Sequence, residues 1–208
     1  IDELKAEKNV AIVEAFYPGF YGAEALARAV FGFSNRWGKL PATIYDNTYT
    51  KRFNMLDFEM APHGDQPGRT YRYGGGIDGV LYPFGYGLSY TSFSYSNLSI
   101  DNDNMNKTSS IKASIELSNT GSRKGKEVVQ LYIRDVVGSI ARPMKELKGF
   151  KLIELNPGES TTVEFEIDNS LLEFYTYNKK WESEPGNFQL FIGGNSNVSE
   201  YKEFNLLD

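Results

Sequence analysis

From Ile111 onwards the sequence alternates apolar and polar residues, with turn signals between the runs, and that pattern leaves few possible folds. Ile111, Ala113, Ile115 and Leu117 form one set, and Val129, Leu131 and Ile133 the next. Val163, Phe165 and Ile167 follow, then Phe188, Leu190 and Ile192. A period of two puts alternate side chains on one face, so each set predicts a strand with one face in a core and the other in water. Asn119-Thr120-Gly121, Asn156-Pro157-Gly158-Glu159 and Pro185-Gly186-Asn187 supply the turns. Tyr201 to Leu206 reads as an edge strand, Asp101 to Ser110 as a polar loop, and Lys145 to Lys148 as a charged surface segment. About seven short strands at this spacing predict an immunoglobulin-like sandwich.

The chain has no cysteine, which fits a fibronectin type III-like sandwich better than an antibody-type one and excludes thiolate metal sites. The sandwich is expected over residues 94–208. Residues 82–93 precede it as a connector, Tyr82-Pro83-Phe84-Gly85-Tyr86-Gly87-Leu88-Ser89-Tyr90-Thr91-Ser92-Phe93. Pro83, Gly85 and Gly87 argue against a regular helix or central strand there. The five rings of Tyr82, Phe84, Tyr86, Tyr90 and Phe93 argue against a flexible linker, because exposed aromatic surface is costly. An ordered, buried connector between two domains is the expectation, with an aromatic-rich loop inside one domain as the alternative.

Residues 1–81 have a different texture. Asn9 to Phe16 is a short apolar run bounded by Pro18-Gly19, as expected of a strand buried on both faces of a parallel sheet. Gly22 to Phe33 predicts a helix, with Leu26, Ala29, Val30 and Phe33 at helical spacing and Gly32 and Gly38 as stop signals. Leu40 to Tyr45 reads as a second strand, which makes a βαβ-like unit too small to stand alone. Asp46 to Gly79 has no sustained period, and Gly74-Gly75-Gly76 reads as a turn because no Lys-Ser/Thr follows it. The fold class expected is therefore an α/β fragment followed by an all-β sandwich, the fragment completing a sheet begun before Ile1.

Tyr82 to Thr91 closely resembles the segment joining the α/β sandwich domain to the fibronectin type III-like domain in glycoside hydrolase family 3. Pro67-Gly68-Arg69-Thr70-Tyr71-Arg72-Tyr73 resembles that family's PGRTYR segment, which leans towards its xylosidase-like branch. Ala15-Phe16-Tyr17-Pro18-Gly19 and Gly38-Lys39-Leu40-Pro41 also have counterparts there. The resemblance implies the C-terminal part of a retaining β-glycosidase, an exo-acting β-xylosidase or β-glucosidase working on oligosaccharides. Such enzymes place two carboxyl groups about 5 Å apart across the scissile bond. The resemblance puts the Asp nucleophile on an N-terminal barrel domain absent from this chain, and the acid/base Glu upstream of Ile1. No catalytic residue is therefore assigned, no cofactor or metal is expected, and the substrate would be reached through that missing domain. A non-catalytic carbohydrate-binding or adhesion module is the competing reading.

Within the chain, Glu14 lies near the end of the expected buried strand, where α/β domains often place their sites; it is either a rim carboxylate or a sugar contact. Asp57 and Glu59, in Met55 to Met60, resemble a family loop. Arg69, Tyr71 and Arg72 are able either to bond or stack with sugar or to pack the loop onto the sandwich. His63 is the one histidine, so a histidine-based triad or metal cluster has little support. Asn97, Asn106 and Asn197 open acceptor sequons for N-glycosylation. A net charge of -5 argues against nucleic acid as the main partner, and no apolar run reaches membrane-spanning length. Secretion is expected, with any signal upstream.

Overall fold

The computed structural model describes residues 2–208 except 6, 8, 53, 55 and 75–78. Its first part holds α1 (Asp2–Lys5), α2 (Gly22–Val30), β1 (Ile44–Tyr45), a 3-10 turn (Tyr49–Arg52), α3 (Thr70–Tyr73) and β2 (Val80–Tyr82). The second part holds β3 (Phe93–Ile100), β4 (Asn104–Met105), β5 (Ile111–Asn119), β6 (Gly125–Asp135), β7 (Glu146–Leu155) and β8 (Ser160–Ile167). After a 3-10 turn (Asn169–Leu171) come β9 (Phe174–Tyr175), β10 (Trp181–Glu182), β11 (Gly186–Gly193) and β12 (Lys202–Leu206).

Two sheets form the sandwich, a three-stranded one in the order β3-β5-β8 and a five-stranded one in the order β4-β12-β11-β6-β7. Every pairing is antiparallel except the short parallel match of β4 with β12. The alternating sets point inward: Ile115 and Leu117 from β5, Val129 and Leu131 from β6, Val163 and Ile167 from β8, and Leu190 and Ile192 from β11 are buried in one core. Phe188 and Phe204 stack across neighbouring strands at 5.4 Å, each ring contributing about 1.5–3 kcal/mol by burial. At one end of this core the turn after β5 is held by Asn119, whose amide donates to the carbonyls of Arg123 and Leu155 and whose Oδ1 accepts from Thr91 and the Gly121 amide. A Cβ on Gly121 would sit 2.2 Å from Thr91 Oγ1, so the close approach of connector and turn requires glycine.

Several local expectations are corrected. Asn9 to Phe16 forms no strand, and Val10, Ile12 and Val13 are exposed. A strand buried on both faces of a parallel sheet needs partners on both edges, and none of the described residues supplies one. The βαβ-like unit is also absent: β1 is only two residues long and pairs antiparallel with β2. The helix runs over Gly22–Val30 and stops before Gly32, at φ +75, while Leu26 and Val30 remain exposed. Asp101 to Ser110 contains β4, with Met105 buried at the sheet edge, so β12 lies inside the sheet. Glu146 opens β7, and its carboxylate draws in Arg72 at 3.0 Å, Lys148 at 3.3 Å and Arg142 at 3.7 Å. Of the triple glycine only Gly74 lies within the described residues; Gly75 and Gly76 fall outside them.

Strand β6 has both faces covered. At the inner face Glu127 is buried and receives Lys39 Nζ at 2.9 and 3.1 Å and the Tyr95 hydroxyl at 2.8 Å. On the outer face Gln130 donates to the carbonyls of Gly85 at 3.1 Å and Gly194 at 2.7 Å, and its Oε1 accepts from the Tyr132 hydroxyl. Tyr71 lies stacked on Phe84 at 4.2 Å and edge-on to Tyr132 at 6.2 Å. Backbone bonds complete the seam: Leu40 to Tyr86, Gly85 to Leu40 and Ser196 to Phe84, each donor named first. Asn35 Oδ1 accepts from Ser89 and the Tyr90 amide, and the Tyr90 hydroxyl caps the carbonyls of Ala29 and Val30. Residues 84–86 and 89–91 are therefore held by hydrogen bonds to other segments, although Leu88 and Tyr90 keep exposed faces.

Truncating Glu127 leaves Lys39 Nζ buried without its carboxylate, a loss of about 3–5 kcal/mol for a buried pair. Glu127→Ala is expected to lower the unfolding free energy by that amount, and the urea midpoint with it, whereas Val13→Ala, at an exposed site, changes it by less than about 0.5 kcal/mol. Urea unfolding of the two variants checks the difference.

Candidate functional site

An open depression of about 770 Å³ is lined by Asn54, Leu56 to Ala61, Tyr73 and Ala141. Its longer wall is formed by Asn54 and Leu56 to Ala61, whose loop is clipped onto itself as compact surface loops are. The Asn54 amide donates to Gln66 Oε1, and His63 and Gln66 exchange backbone hydrogen bonds. Beneath it, the Arg69 guanidinium donates to the carbonyls of Asp57 and Glu59, while the Arg69 amide donates to Met60. A planar guanidinium with five donors suits this bridging of two nearby carbonyls. The opposite rim carries Ala141, whose neighbour Arg142 is fixed by Asp135 at 3.3 Å and by the Phe174 ring at 4.1 Å. Burial raises the Asp135 carboxyl above its ordinary range, and the Arg142 charge opposes that rise.

The chemistry exposed to the depression is acidic and aromatic. Asp57 accepts from the Glu59 amide at 3.0 Å and from His63 Nε2 at 2.7 Å. The Glu59 amide, then the histidine, holds the Asp57 carboxyl below its ordinary value. The other ring nitrogen of His63 meets the Ala61 carbonyl at 3.1 Å, and that carbonyl, followed by Asp57, raises the histidine above 6.5. Leu56 and Phe58 project outward, 83% and 85% exposed. Carboxylates beside an apolar rim can accept from hydroxyls and cover a sugar ring, as mostly apolar sites with a few placed polar groups do. Among the described residues no group of His, Cys, Asp or Glu is arranged to hold a metal ion.

Of the sequence-based candidates, the structure brings together Asp57, Glu59 and Arg69 and separates the others. Glu14 is exposed, and its carboxylate accepts from the Phe16 amide two residues on. Tyr71 faces the sandwich, where its hydroxyl accepts from the Leu147 amide. Asn97, Asn106 and Asn197 are all on the surface, with Asn97 at φ +58 in the irregular stretch of β3. His63, Tyr73 and Ala141 were not anticipated. The carboxylate–histidine spacing of Asp57 and His63 was the only sequence signal for the first of them, and nothing in the sequence marks Ala141. Arg69→Ala removes both carbonyl bridges, so cleavage within residues 54–66 under limited proteolysis should increase while the sandwich transition stays in place.

Comparison with known proteins identifies the family. Residues 1–90 match the glycosyl hydrolase family 3 C-terminal domain, and residues 127–196 match a fibronectin type III-like domain. A periplasmic beta-glucosidase of Salmonella typhimurium is 40% identical over 200 residues, covering 95% of this chain and 26% of that protein. A putative beta-xylosidase of Formosa agariphila is 40% identical over 191 residues, covering 92% of this chain and 24% of the relative. Among solved structures, a β-glucosidase from Erythrobacter marinus superposes with a TM-score of 0.72 at 35% identity, over 92% of this chain and 24% of that one. The glucose complex of a beta-glucosidase from Listeria innocua gives 0.71 at 30% identity, over 94% and 28%. The chain thus spans about a quarter of the length of the curated relatives it matches. With both its α/β part and its sandwich matched, the chain belongs to glycoside hydrolase family 3 and corresponds to the C-terminal part of such enzymes.

Proposed function

We propose that the chain is the scaffold end of a retaining, exo-acting β-glucosidase or β-xylosidase. The observation that carries this reading is the double cover of β6, where Lys39 and Tyr71 of the first part and Phe84 and Gly85 of residues 82–93 cover or bond Glu127, Gln130 and Tyr132 of the sandwich. A free-standing binding module has no use for a foreign segment joined to its central strand. In this reading residues 1–81 finish an α/β domain, 82–93 fasten it, and 94–208 support it. The nucleophile lies on a barrel domain outside the chain, and the oligosaccharide is met there. The Asp57–Arg69 loop then serves as a rim of the sugar site, with Glu14 and Tyr71 as minor contributors at most.

The relative named as periplasmic supports export of the parent protein, in line with surface positions at Asn97, Asn106 and Asn197 open to glycosylation in a secreting eukaryote. No described helix is long and apolar enough to cross a membrane, and the negative net charge gives nucleic acid no purchase. A second reading, a carbohydrate-binding module, is favoured by the hairpin of β9 and β10. There Tyr175, Tyr177 and Trp181 are exposed and the first and last meet edge-to-face at 5.9 Å; exposed aromatics of this kind can stack on sugar.

Turnover separates the two readings. The chain joined to its upstream coding sequence is expected to hydrolyse aryl β-glucoside or β-xyloside, the first-formed sugar keeping the β configuration by proton NMR. These 208 residues alone are expected to be inactive, because general acid catalysis without a nucleophile yields only about 10²–10⁴-fold, against roughly 10⁶ or more for enzymes. An initial α-anomer, or turnover by the isolated chain that disappears in Glu14→Gln, contradicts the proposal. Sugar binding by an inactive longer protein favours the module.

A further inference from the structure

Both ring nitrogens of His63 face oxygen acceptors: Nδ1 meets the Ala61 carbonyl at 3.1 Å, and Nε2 meets Asp57 Oδ2 at 2.7 Å. A neutral imidazole has one N–H, so it would leave one nitrogen lone pair against an oxygen lone pair. Only the imidazolium donates to both. We propose that His63 is a positioning residue which, while charged, clamps the Asp57–His63 turn, making the acidic wall of the depression an element that loosens when the ring loses its proton. This goes beyond the glycosidase reading, since it concerns the shape of the loop whatever the loop binds.

The surroundings fit the role. The charged groups acting on the ring are Asp57 and Glu59, both from its own loop, and Arg69 from the segment beneath acts in turn on Asp57. Two acidic side chains favour the charged ring, and Arg69 fixes the carbonyls of Asp57 and Glu59 so that the carboxylate stays in register. Other contacts of the turn are neutral, among them the His63–Gln66 backbone pair, the Asn54 amide on Gln66 Oε1 and the Asp57 amide on the Asn54 carbonyl. A neutral ring has one N–H for two acceptors, so losing the charge weakens the ring's hold on the turn and leaves the Glu59 amide as the other donor to the Asp57 carboxylate. Leu56 and Phe58, which the turn presents to solvent, would then change position with it.

The sign follows from the directions of the two shifts. The ring titrates above its ordinary 6.5, so the clamp is complete below that pH and is lost as pH rises through the higher midpoint. On the acid side Asp57, held below 3.8, contributes above its ordinary value and loses its contribution as pH falls through the lowered one. The turn is accordingly tightest across the mildly acidic range between the two.

Because the sequence contains one histidine, the ring signals in a nitrogen–proton NMR titration of the whole chain belong to His63. The expected result is a midpoint above 6.5 that falls in Asp57→Asn. The amides of Asp57 to Ala61 should titrate with that midpoint, and this dependence should vanish in His63→Gln. The Leu131 amide in the core reports on the sandwich and should stay unchanged throughout. A midpoint at or below 6.5 overturns the proposal, as do loop amides that ignore the ring's titration or a Leu131 signal that follows it.

Discussion

In a two-layer sandwich a strand ordinarily turns one face to the core and the other to water, and its outward polar residues need no partners. On β6 that freedom is gone. Gln130 and Tyr132 lie on the face that alternation assigns to solvent, yet both are buried, as is Glu127 at the end of the core face. A buried carboxylate or amide without partners costs several kcal/mol, so the strand tolerates these residues only if other segments reach them. Lys39, the Tyr95 hydroxyl and the Gly85 and Gly194 carbonyls do so. Each is brought by a different stretch of chain, and the connector is where those stretches converge. Gly85 shows how closely: a Cβ there would fall 2.0 Å from Gln130 Oε1.

This arrangement explains what the sequence disclosed and what it did not. The inward sets on β5, β6, β8 and β11 were legible because a period of two is imposed by the strand itself and needs no knowledge of neighbours. Strand β7 was not. Its residues are mostly half-exposed, Phe150 and Leu152 face outward, and its ladder shifts register opposite Leu131 and Tyr132, so no clean alternation survives. The burial of Gln130 and Tyr132 was equally invisible, since their partners lie 45 or more residues away in sequence. Asn9 to Phe16 failed in the opposite way. Its composition suits a fully buried strand, but a strand is a property of a pair, and the described residues offer no second member.

The candidate site divides along the same line. Asp57 and Arg69 were singled out by resemblance, and the loop does bring them together, but through the backbone carbonyls of Asp57 and Glu59. Arg69 is thereby a brace for the wall. Tyr71, two residues along, turns to the opposite side and belongs to the seam with Phe84 and Tyr132. The opposite directions of Arg69 and Tyr71 at the start of α3 therefore fasten the loop to the sandwich from one side and shape the depression from the other. Conditions that release Tyr71 from the sandwich would disturb the wall.

The central claim is that the connector and the sandwich form one cooperative unit about β6, and native-state amide hydrogen exchange measures it directly. The amides of Leu40, Gly85 and Ser196 are bonded across the seam, while those of β6 are bonded within the sheet. If the seam and the strand open together, their exchange free energies agree to within about 1 kcal/mol. If the seam amides exchange several kcal/mol more readily while β6 stays protected, the connector is a detachable flap and the account is wrong.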